Sequence, residues 1–407
     1  MADAADSKSA VLWMCRFESD LGYQGVSEHL TAMSDPTRHP SDDPLAPSPA
    51  SPSASAHTVP GQGIESALDR VAVVVNGRAR QVTSDIVEVL DQIVQSGDLF
   101  VSRDLAEADR IAQTIVERRY HTVLTGGGDG TFVQMVTRVV HAAHARGQKP
   151  PRFGLLKLGT GNALSWVLGS HPTSSKKAVV ADLARLRSEG GSRALRLIEV
   201  EGTLTPFAGL GVDAICLEHY GTTKDWLARS ALTRPMATGP GAYLLSTVTR
   251  SLPEFLLRSH PRVRIVNDGG PCLRIGAGDK PAVQIAHGEV LYEGPSRLVA
   301  MSTIPYWGFG ARIFPFAEER DDRFNLRVCD VGSVEVAAHI RSIWRGSYRN
   351  ERTVHDFLCE RIAIHYDDPM TLQVGGDVVG RRTLIRAALA EPIEVVDYYA
   401  PPPVHPN

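Results

Sequence analysis

The sequence has few cysteines and no long apolar run. Its five cysteines, spread over 407 residues, include no CxxC pair and have no histidine at metal-ligand spacing. This scatter argues against a disulfide framework and a zinc site, and is typical of thiols in a reducing compartment. No stretch approaches the roughly 20 apolar residues that cross a bilayer. We therefore expect a cytoplasmic protein whose contact with membranes is peripheral.

The sequence also lacks a strong charge of either sign. The formal net charge is -3 at pH 7. A chain so close to neutral has no general attraction to nucleic acid or to anionic lipid, so such contacts would need a local patch. Nucleic acid is not an expected partner.

Branched apolar residues are nearly absent from the N-terminal region, where proline, serine and alanine dominate residues 34–63. Such a composition cannot bury enough apolar surface to offset the entropy lost on ordering. We predict a disordered tail over residues 1–66 and a short second tail over 401–407. The remaining length is enough for two domains.

Residues 67–192 alternate between strand and helix patterns. The β-branched run VAVVV at 71–75 is typical of a strand that is buried on both faces, and SDIVEVLDQI has apolar residues at helical spacing. The runs LFVS and HTVLT continue the alternation. Strand, helix and strand at this spacing predict parallel βαβ units, and therefore an open α/β sheet.

The residue pattern changes in residues 193–400. Short segments such as RVRIVND, RLVAMST and RIAIHYDD are alternating or β-branched, and Gly, Pro, Asp and Asn separate them. This pattern predicts an antiparallel β-sandwich. The expected fold is thus an N-terminal open parallel-sheet nucleotide-binding domain followed by a C-terminal antiparallel β-sandwich domain.

A glycine-rich loop follows the third predicted strand, in the sequence VLTGGGDGTFVQM at 123–135. Glycine backbone can turn tightly and can present N–H groups to phosphate oxygens beside a helix N-terminus. Asp129 would repel a bare phosphate unless it handles a proton or faces a metal. The pattern favours phosphoryl transfer over a simple turn in which Asp129 caps the next helix.

A second glycine-rich loop also stands between an apolar strand pattern and an apolar helix pattern, in GLLKLGTGNALSWVL at 154–168. Two loops at successive strand ends can face one nucleotide from two sides. Neither loop is a Walker motif, because no GxxxxGK[ST] occurs, and neither is the GxGxxG dinucleotide fingerprint.

Together the two loops resemble the diacylglycerol kinase catalytic-domain family, which includes bacterial lipid kinases and sphingosine kinases. The family's GGDGT is matched by Gly127, Gly128, Asp129, Gly130 and Thr131. Its PxGTGN loop is matched from Lys157 to Asn162. The resemblance implies ATP and Mg²⁺ as cofactors and a lipid hydroxyl as acceptor of the γ-phosphoryl group.

The resemblance also implies roles for individual residues of the nucleotide-binding domain. Besides the GGDGT residues, the implied nucleotide-binding residues are Asn76, Gly77, Ser102, Gly159, Thr160 and Asn162. The proline of the family's first loop is missing beside Asn76.

Three acidic residues of the second domain complete the implied site. Asp213 stands where sphingosine kinases hold the lipid headgroup, and Asp322 stands at a structural magnesium site of bacterial members. Arg323 replaces the glycine that usually follows that metal ligand. Asp377 replaces the glutamate proposed as base, so its reach is about 1.5 Å shorter. We expect Asp129 to be essential and Asp377 to contribute, with either able to act as the base.

Several alternatives stay open on the sequence alone. NAD kinases also carry GGDGT, although this chain has no LGFL segment. A pseudokinase that binds nucleotide and lipid is kept open by Gly375 and Asp377, which replace the family's Asp and Glu. The sequence does not choose among diacylglycerol, a sphingoid base and related lipid alcohols. It also leaves the oligomeric state open, a homodimer included.

Overall fold

The fold was analysed in a computed structural model of the full chain. The structure describes residues 71–77, 79, 82–93, 98–158, 163–170, 176–187, 191–219, 261–276, 282–307 and 310–398. The predicted tails, at 1–66 and 401–407, lie outside the described residues.

The first sheet has six strands in the order β2-β1-β3-β4-β18-β5. They are β1 (Val71–Asn76), β2 (Leu99–Ser102), β3 (Thr122–Gly127), β4 (Arg152–Lys157), β5 (Gly191–Leu195) and β18 (Ile393–Asp397). Strands β1 to β4 are parallel to their neighbours, β18 is parallel to β4, and β5 runs antiparallel to β18. The predicted open α/β sheet is therefore confirmed.

Helices connect the parallel strands. They are α1 (Ser84–Ile93), α2 (Leu105–Glu117), α3 (Asp129–Ala145), α4 (Ala163–Leu168) and α5 (Lys176–Arg187). In α3, apolar residues such as Phe132, Val136 and Val140 recur at helical spacing and are buried. This apolar stripe packs into the same core as the inner residues of β1 and β3.

The second sheet has twelve antiparallel strands. The path runs β11-β10-β15-β14-β13-β8-β16-β17-β6-β7, with β9 beside β16 and β12 beside β9. These strands are β6 (Ile198–Val200), β7 (Thr203–Thr205), β8 (Phe207–Gly211), β9 (Arg262–Asn267), β10 (Cys272–Arg274), β11 (Val283–Ile285), β12 (Val290–Pro295), β13 (Leu298–Ser302), β14 (Phe324–Cys329), β15 (Val354–Cys359), β16 (Arg361–Val374) and β17 (Asp377–Leu389). Helix α6 (Ser333–Trp344) precedes β15. The predicted antiparallel β domain is confirmed.

The long strand β16 gives the second sheet its shape. Its first half pairs with β9 and its last three residues pair with β8, while β17 runs along its other edge. One apolar core joins residues from distant strands, including Ile265 of β9 and Phe357 of β15. Residues of the β16–β17 hairpin, such as Leu372 and Ile385, belong to this core.

The two sheets do not divide the chain at one point. The expected boundaries place residues 193–400 in the second domain, whereas β18 (Ile393–Asp397) lies in the first sheet between β4 and β5. In β18, Ile393, Val395 and Val396 are buried in the first core. Burial of this apolar strand brings the chain back to the domain where it started.

No helix among the described residues is long and apolar enough to cross a membrane.

Candidate active site

Four residues form one row at the carboxyl edge of the first sheet. Asn76 of β1 pairs with Ser102 of β2, and Gly127 of β3 pairs with Lys157 of β4. Val75 pairs with Gly126, which brings Asn76 and Gly127 to the same level. Ligands bind at this edge in open α/β sheets, because the loops into the helices begin there.

The GGDGT loop is packed tightly against the first turn of α3. The side-chain amide of Asn76 donates to Thr131 Oγ1 over 3.1 Å. A Cβ at Gly127 would lie 2.4 Å from that same oxygen, which is closer than real Cβ atoms come. Gly127 is therefore glycine because Thr131 occupies the space of a side chain.

The N-terminus of α3 has no side-chain cap. Its N-cap residue is Gly128 in extended conformation, and it makes no side-chain hydrogen bond to the first turn. The first N–H groups of a helix have no partner within the helix, and together with its dipole they favour anions. The loop can therefore present N–H groups to a phosphate, as the sequence predicts.

Asp129 contacts a different helix from the one it begins. Its carboxylate accepts hydrogen bonds from the N–H of Ala163, over 2.7 Å, and from that of Leu164, over 3.1 Å. These are the first two residues of α4, which follows the second glycine-rich loop. Asp129 thus ties the two loops together. Burial raises the pKa of Asp129 to about 6, against the effect of these N–H groups and of Lys157.

Asp377 reaches the same loop from the second sheet. It begins β17 after a turn in which Gly375 and Gly376 have positive φ angles of 60° and 90°. A Cβ at Gly130 would lie 2.8 Å from Asp377 Oδ2, and one at Gly375 would lie 2.7 Å from Val133 Cγ2. The hairpin turn therefore packs on the first turns of α3. Burial raises the pKa of Asp377.

Asp213 is connected to that turn through Gln373, a fully buried residue of β16. The side-chain amide of Gln373 donates to Asp213 Oδ2 over 3.1 Å, and its carbonyl oxygen accepts from the N–H of Gly376 over 2.9 Å. Burial raises the pKa of Asp213 to about 6. In the described part of the chain its Oδ1 is buried without a hydrogen-bond partner.

Asp322 lies in a different environment. Its carboxylate is bound by Arg320, at 2.8 and 3.0 Å, and by Arg323 at 3.0 Å. The hydrogen bond from Arg320 lowers the pKa of Asp322. Within the described ranges no group of three or more His, Cys, Asp or Glu residues could hold a metal ion. The metal role of Asp322 stays a prediction, and Arg323 supplies a positive charge at this position.

The remaining predicted residues divide into two groups. Gly77 lies directly after β1, where a Cβ would lie 2.9 Å from Val101 Cγ1, and the hydroxyl of Ser102 donates to the carbonyl of Asp104 over 3.2 Å. Gly159, Thr160 and Asn162 lie outside the described residues.

Comparison with known proteins agrees with this geometry. Residues 70–192 match the family model of the diacylglycerol kinase catalytic domain. A diacylglycerol kinase structure from Bacillus anthracis strain Sterne is 15% identical, with a TM-score of 0.51 over 81% of this chain and 97% of that chain. A proposed diacylglycerol kinase from the same strain is 18% identical, with a TM-score of 0.53 over the same shares of the two chains. No curated protein sequence matches the chain.

Residues 70–192 thus match the diacylglycerol kinase catalytic-domain family, and the chain shares the fold of bacterial diacylglycerol kinase-like proteins. The predicted family resemblance is confirmed. At identities this low the solved structures establish the fold, and the residues of the site must support any statement about the reaction.

Two site residues were missed by sequence reasoning. Gln373 lies in an alternating strand segment, where a lone glutamine gives no signal of its buried bridging position. Lys157 is the last residue of β4 and was treated only as the first position of the second loop. Its place directly after an apolar run, at a strand's carboxyl end, is the signal that could have identified it.

Proposed function

We propose that this protein is an ATP-dependent lipid kinase that transfers the γ-phosphoryl group of ATP to a lipid hydroxyl. One observation carries the proposal. The carboxylate of Asp377, from the second domain, lies against Gly130 at the N-terminus of α3. A carboxylate of the second domain and the glycine-rich loop of the first therefore lie side by side, as a base and a phosphate-binding loop would.

The proposed nucleotide site is the carboxyl edge of the first sheet. Backbone N–H groups from Gly127 to Thr131 would bind phosphate oxygens, helped by the dipole of α3. Mg²⁺ usually binds one or two protein carboxylates and the substrate phosphates, so it does not need a site made of protein ligands alone. Asp129, the first residue of α3, would be the carboxylate that holds that ion. The ion would neutralise part of the phosphate charge.

Asp377 is the proposed general base. It would accept the proton of the lipid hydroxyl as that oxygen attacks the γ-phosphorus, and ADP would leave with the electrons of the broken P–O bond. Both oxygens of Asp129 already accept N–H groups of α4, which suits a positioning role better. A raised pKa makes the Asp377 carboxylate a stronger base than an exposed aspartate.

Asp213 is the proposed contact for the polar end of the lipid. Its buried Oδ1 can accept a hydrogen bond from a hydroxyl or ammonium group. The candidate acceptors are diacylglycerol, a sphingoid base and related lipid alcohols. Such substrates reside in bilayers, so we also propose a cytoplasmic protein with peripheral membrane contact.

The test is phosphoryl transfer from radiolabelled ATP to a panel of lipids in mixed micelles, with NAD as a separate acceptor. We expect labelled lipid with the wild-type chain and a loss of about 100-fold or more with Asp377→Asn. Glu391→Gln, which changes an exposed carboxylate in the loop after β17, is the matched control and should retain activity.

Three results would count against the proposal. Transfer to NAD without transfer to lipid would indicate an NAD kinase. Binding of ATP and lipid without turnover would indicate a binding protein. Full lipid kinase activity in Asp377→Asn would remove the proposed base.

A further inference from the structure

A lysine lies beside the glycine-rich loop at the edge of the first sheet. Lys157 is the last residue of β4 and pairs with Gly127, the last residue of β3. We propose that Lys157 is a nucleotide-phosphate ligand, whose ammonium group binds the phosphates that the loop presents to the acceptor. This inference rests on the proposed function, and it assigns a charge to a site otherwise made of backbone N–H groups.

Strand register gives the direction of the lysine side chain. Paired residues of neighbouring parallel strands project from the same face of a sheet. A Cβ at Gly127 would point at Thr131, in the first turn of α3. Asn76, at the same level in β1, donates its side-chain amide to that threonine. Lys157 therefore extends from the face on which α3 begins.

The electrostatic interaction with Asp129 agrees with this direction. The charges of Lys157 and Asp129 interact, raising the pKa of the lysine and lowering that of the aspartate against the larger effects of burial. The ammonium group is thus within electrostatic range of the first residue of α3. Lys157 is half-buried, which leaves part of its side chain accessible to a ligand.

The chemistry of the loop explains why a cation is needed here. Residues 126–131 contain no lysine or arginine, and they do contain Asp129. A triphosphate bound at this loop would face the negative charge of that carboxylate. A lysine at the adjacent strand end offsets this repulsion and can donate directly to phosphate oxygens.

A simpler role is that Lys157 only neutralises Asp129. The two roles predict different dependence on the nucleotide. A phosphate ligand affects ATP much more than AMP, because AMP lacks the outer phosphates. A residue that only stabilises Asp129 affects all nucleotides alike through the shape of the loop, and its effect disappears once Asp129 is uncharged.

The experiment is calorimetric binding of ATP, ADP and AMP to the full chain. We expect Lys157→Met to weaken ATP binding by about 10- to 100-fold, the value of one or two charge-assisted contacts, and AMP binding by less than about threefold. Lys157→Arg should restore most of the affinity. Lys149→Met, which removes an exposed lysine paired with Glu394, should change nothing.

Repeating the measurement in an Asp129→Asn background separates the two roles. If Lys157 binds phosphate, Lys157→Met still weakens ATP binding in that background. Equal losses for ATP and AMP, no loss for ATP, or a loss that vanishes with Asp129→Asn would each overturn the proposal.

The experiments also distinguish a failure of the Lys157 inference from a failure of the proposed function. A wild-type chain that binds ATP through Lys157 without phosphorylating lipid would keep this inference and reject the kinase. An active kinase with an unaffected Lys157→Met variant would do the reverse. A wild-type chain that binds no nucleotide would reject both.

Discussion

The loop that carries Asp129 and the hairpin that carries Asp377 meet at Gly130, and they hold their carboxylates differently. Asp129 is fixed within the first domain by two N–H groups of α4. Asp377 follows a turn of two glycines, and Gln373 holds that turn through the N–H of Gly376. The carboxylate of Asp129 holds the start of α4, whereas the carboxylate of Asp377 lies against Gly130.

This comparison suggests different roles for the carboxylates of Asp129 and Asp377. A carboxylate that already accepts two N–H groups is suited to positioning, whereas one that makes no hydrogen bond among the described residues is available to accept a proton. The same residue type can thus serve two purposes because its surroundings differ.

Replacing each carboxylate by an amide should separate the two roles most clearly. We expect Asp377→Asn to lower kcat by about 100- to 10,000-fold with little change in the free energy of unfolding, because it removes a proton acceptor and leaves packing intact. Asp129→Asn should lower activity and stability together, because an amide cannot accept both N–H groups as well. Steady-state kinetics and urea unfolding measure both effects. Equal stability losses in the two variants would contradict the comparison.

The pH dependence of the free energy of unfolding is a second test of the difference between Asp129 and Asp377. Folded Asp129 keeps its proton up to a pKa of about 6, against an ordinary value of 3.8. The folded state therefore binds more protons between these values, and the free energy of unfolding falls as pH rises through this window, by up to about 3 kcal/mol. Asp129→Asn lacks this contribution. Its unfolding free energy, measured from pH 4 to 7, should fall less steeply than that of the wild type. Parallel curves would show that Asp129 titrates normally.

Two glycine-to-alanine substitutions test the packing of the GGDGT loop. Gly127 faces Thr131, and Gly130 faces Asp377. Gly127→Ala places a Cβ 2.4 Å from Thr131 Oγ1 and 2.7 Å from its Cβ, so we expect a stability loss of about 1 to 3 kcal/mol. Gly130→Ala meets only the flexible end of Asp377, and should lower kcat about tenfold at a smaller cost in stability. Thermal unfolding and kinetics of both variants check this. Full activity in Gly130→Ala would indicate that Asp377 works from another position.

The smallest expected effect concerns the residue that joins the hairpin to Asp213. Gln373→Met keeps a similar volume and removes both hydrogen bonds, so we expect a stability loss of about 1 to 2 kcal/mol. KM for lipid should rise about threefold because Asp213 loses its partner. Gln284→Met, on the exposed strand β11, is the matched control. An unchanged KM would show that Gln373 only supports the turn.

Much of the first domain could be predicted from the sequence. The run VAVVV and the apolar stripe of α3 give local signals whose periods distinguish buried strand from helix, and the glycine loops stand at the strand ends that such a sheet requires. The alternative in which Asp129 caps the next helix is wrong, since Gly128 is the N-cap residue of α3 and the partners of Asp129 are 34 and 35 residues further along the chain. No local pattern encodes that distance.

For the second domain, the sequence predicted the antiparallel β class and did not predict the strand pairing. Alternating segments indicate antiparallel strands, but not that β16 pairs with β8 and β9 along one edge, nor that β18 returns to the first sheet. A strand's partner is chosen by shape and burial far away in the sequence. The bridging role of Gln373 follows from those pairings and was invisible without them.

By itself the sequence determined the glycine-rich loop and the alternation of strands and helices that leads to it, because both depend on glycine backbone freedom and on apolar periods within a few residues. Only the tertiary structure decided which groups share the loop. Lys157, Asp377 and Gln373 come together there because strand register and the packing of the hairpin on α3 bring distant parts of the chain into contact.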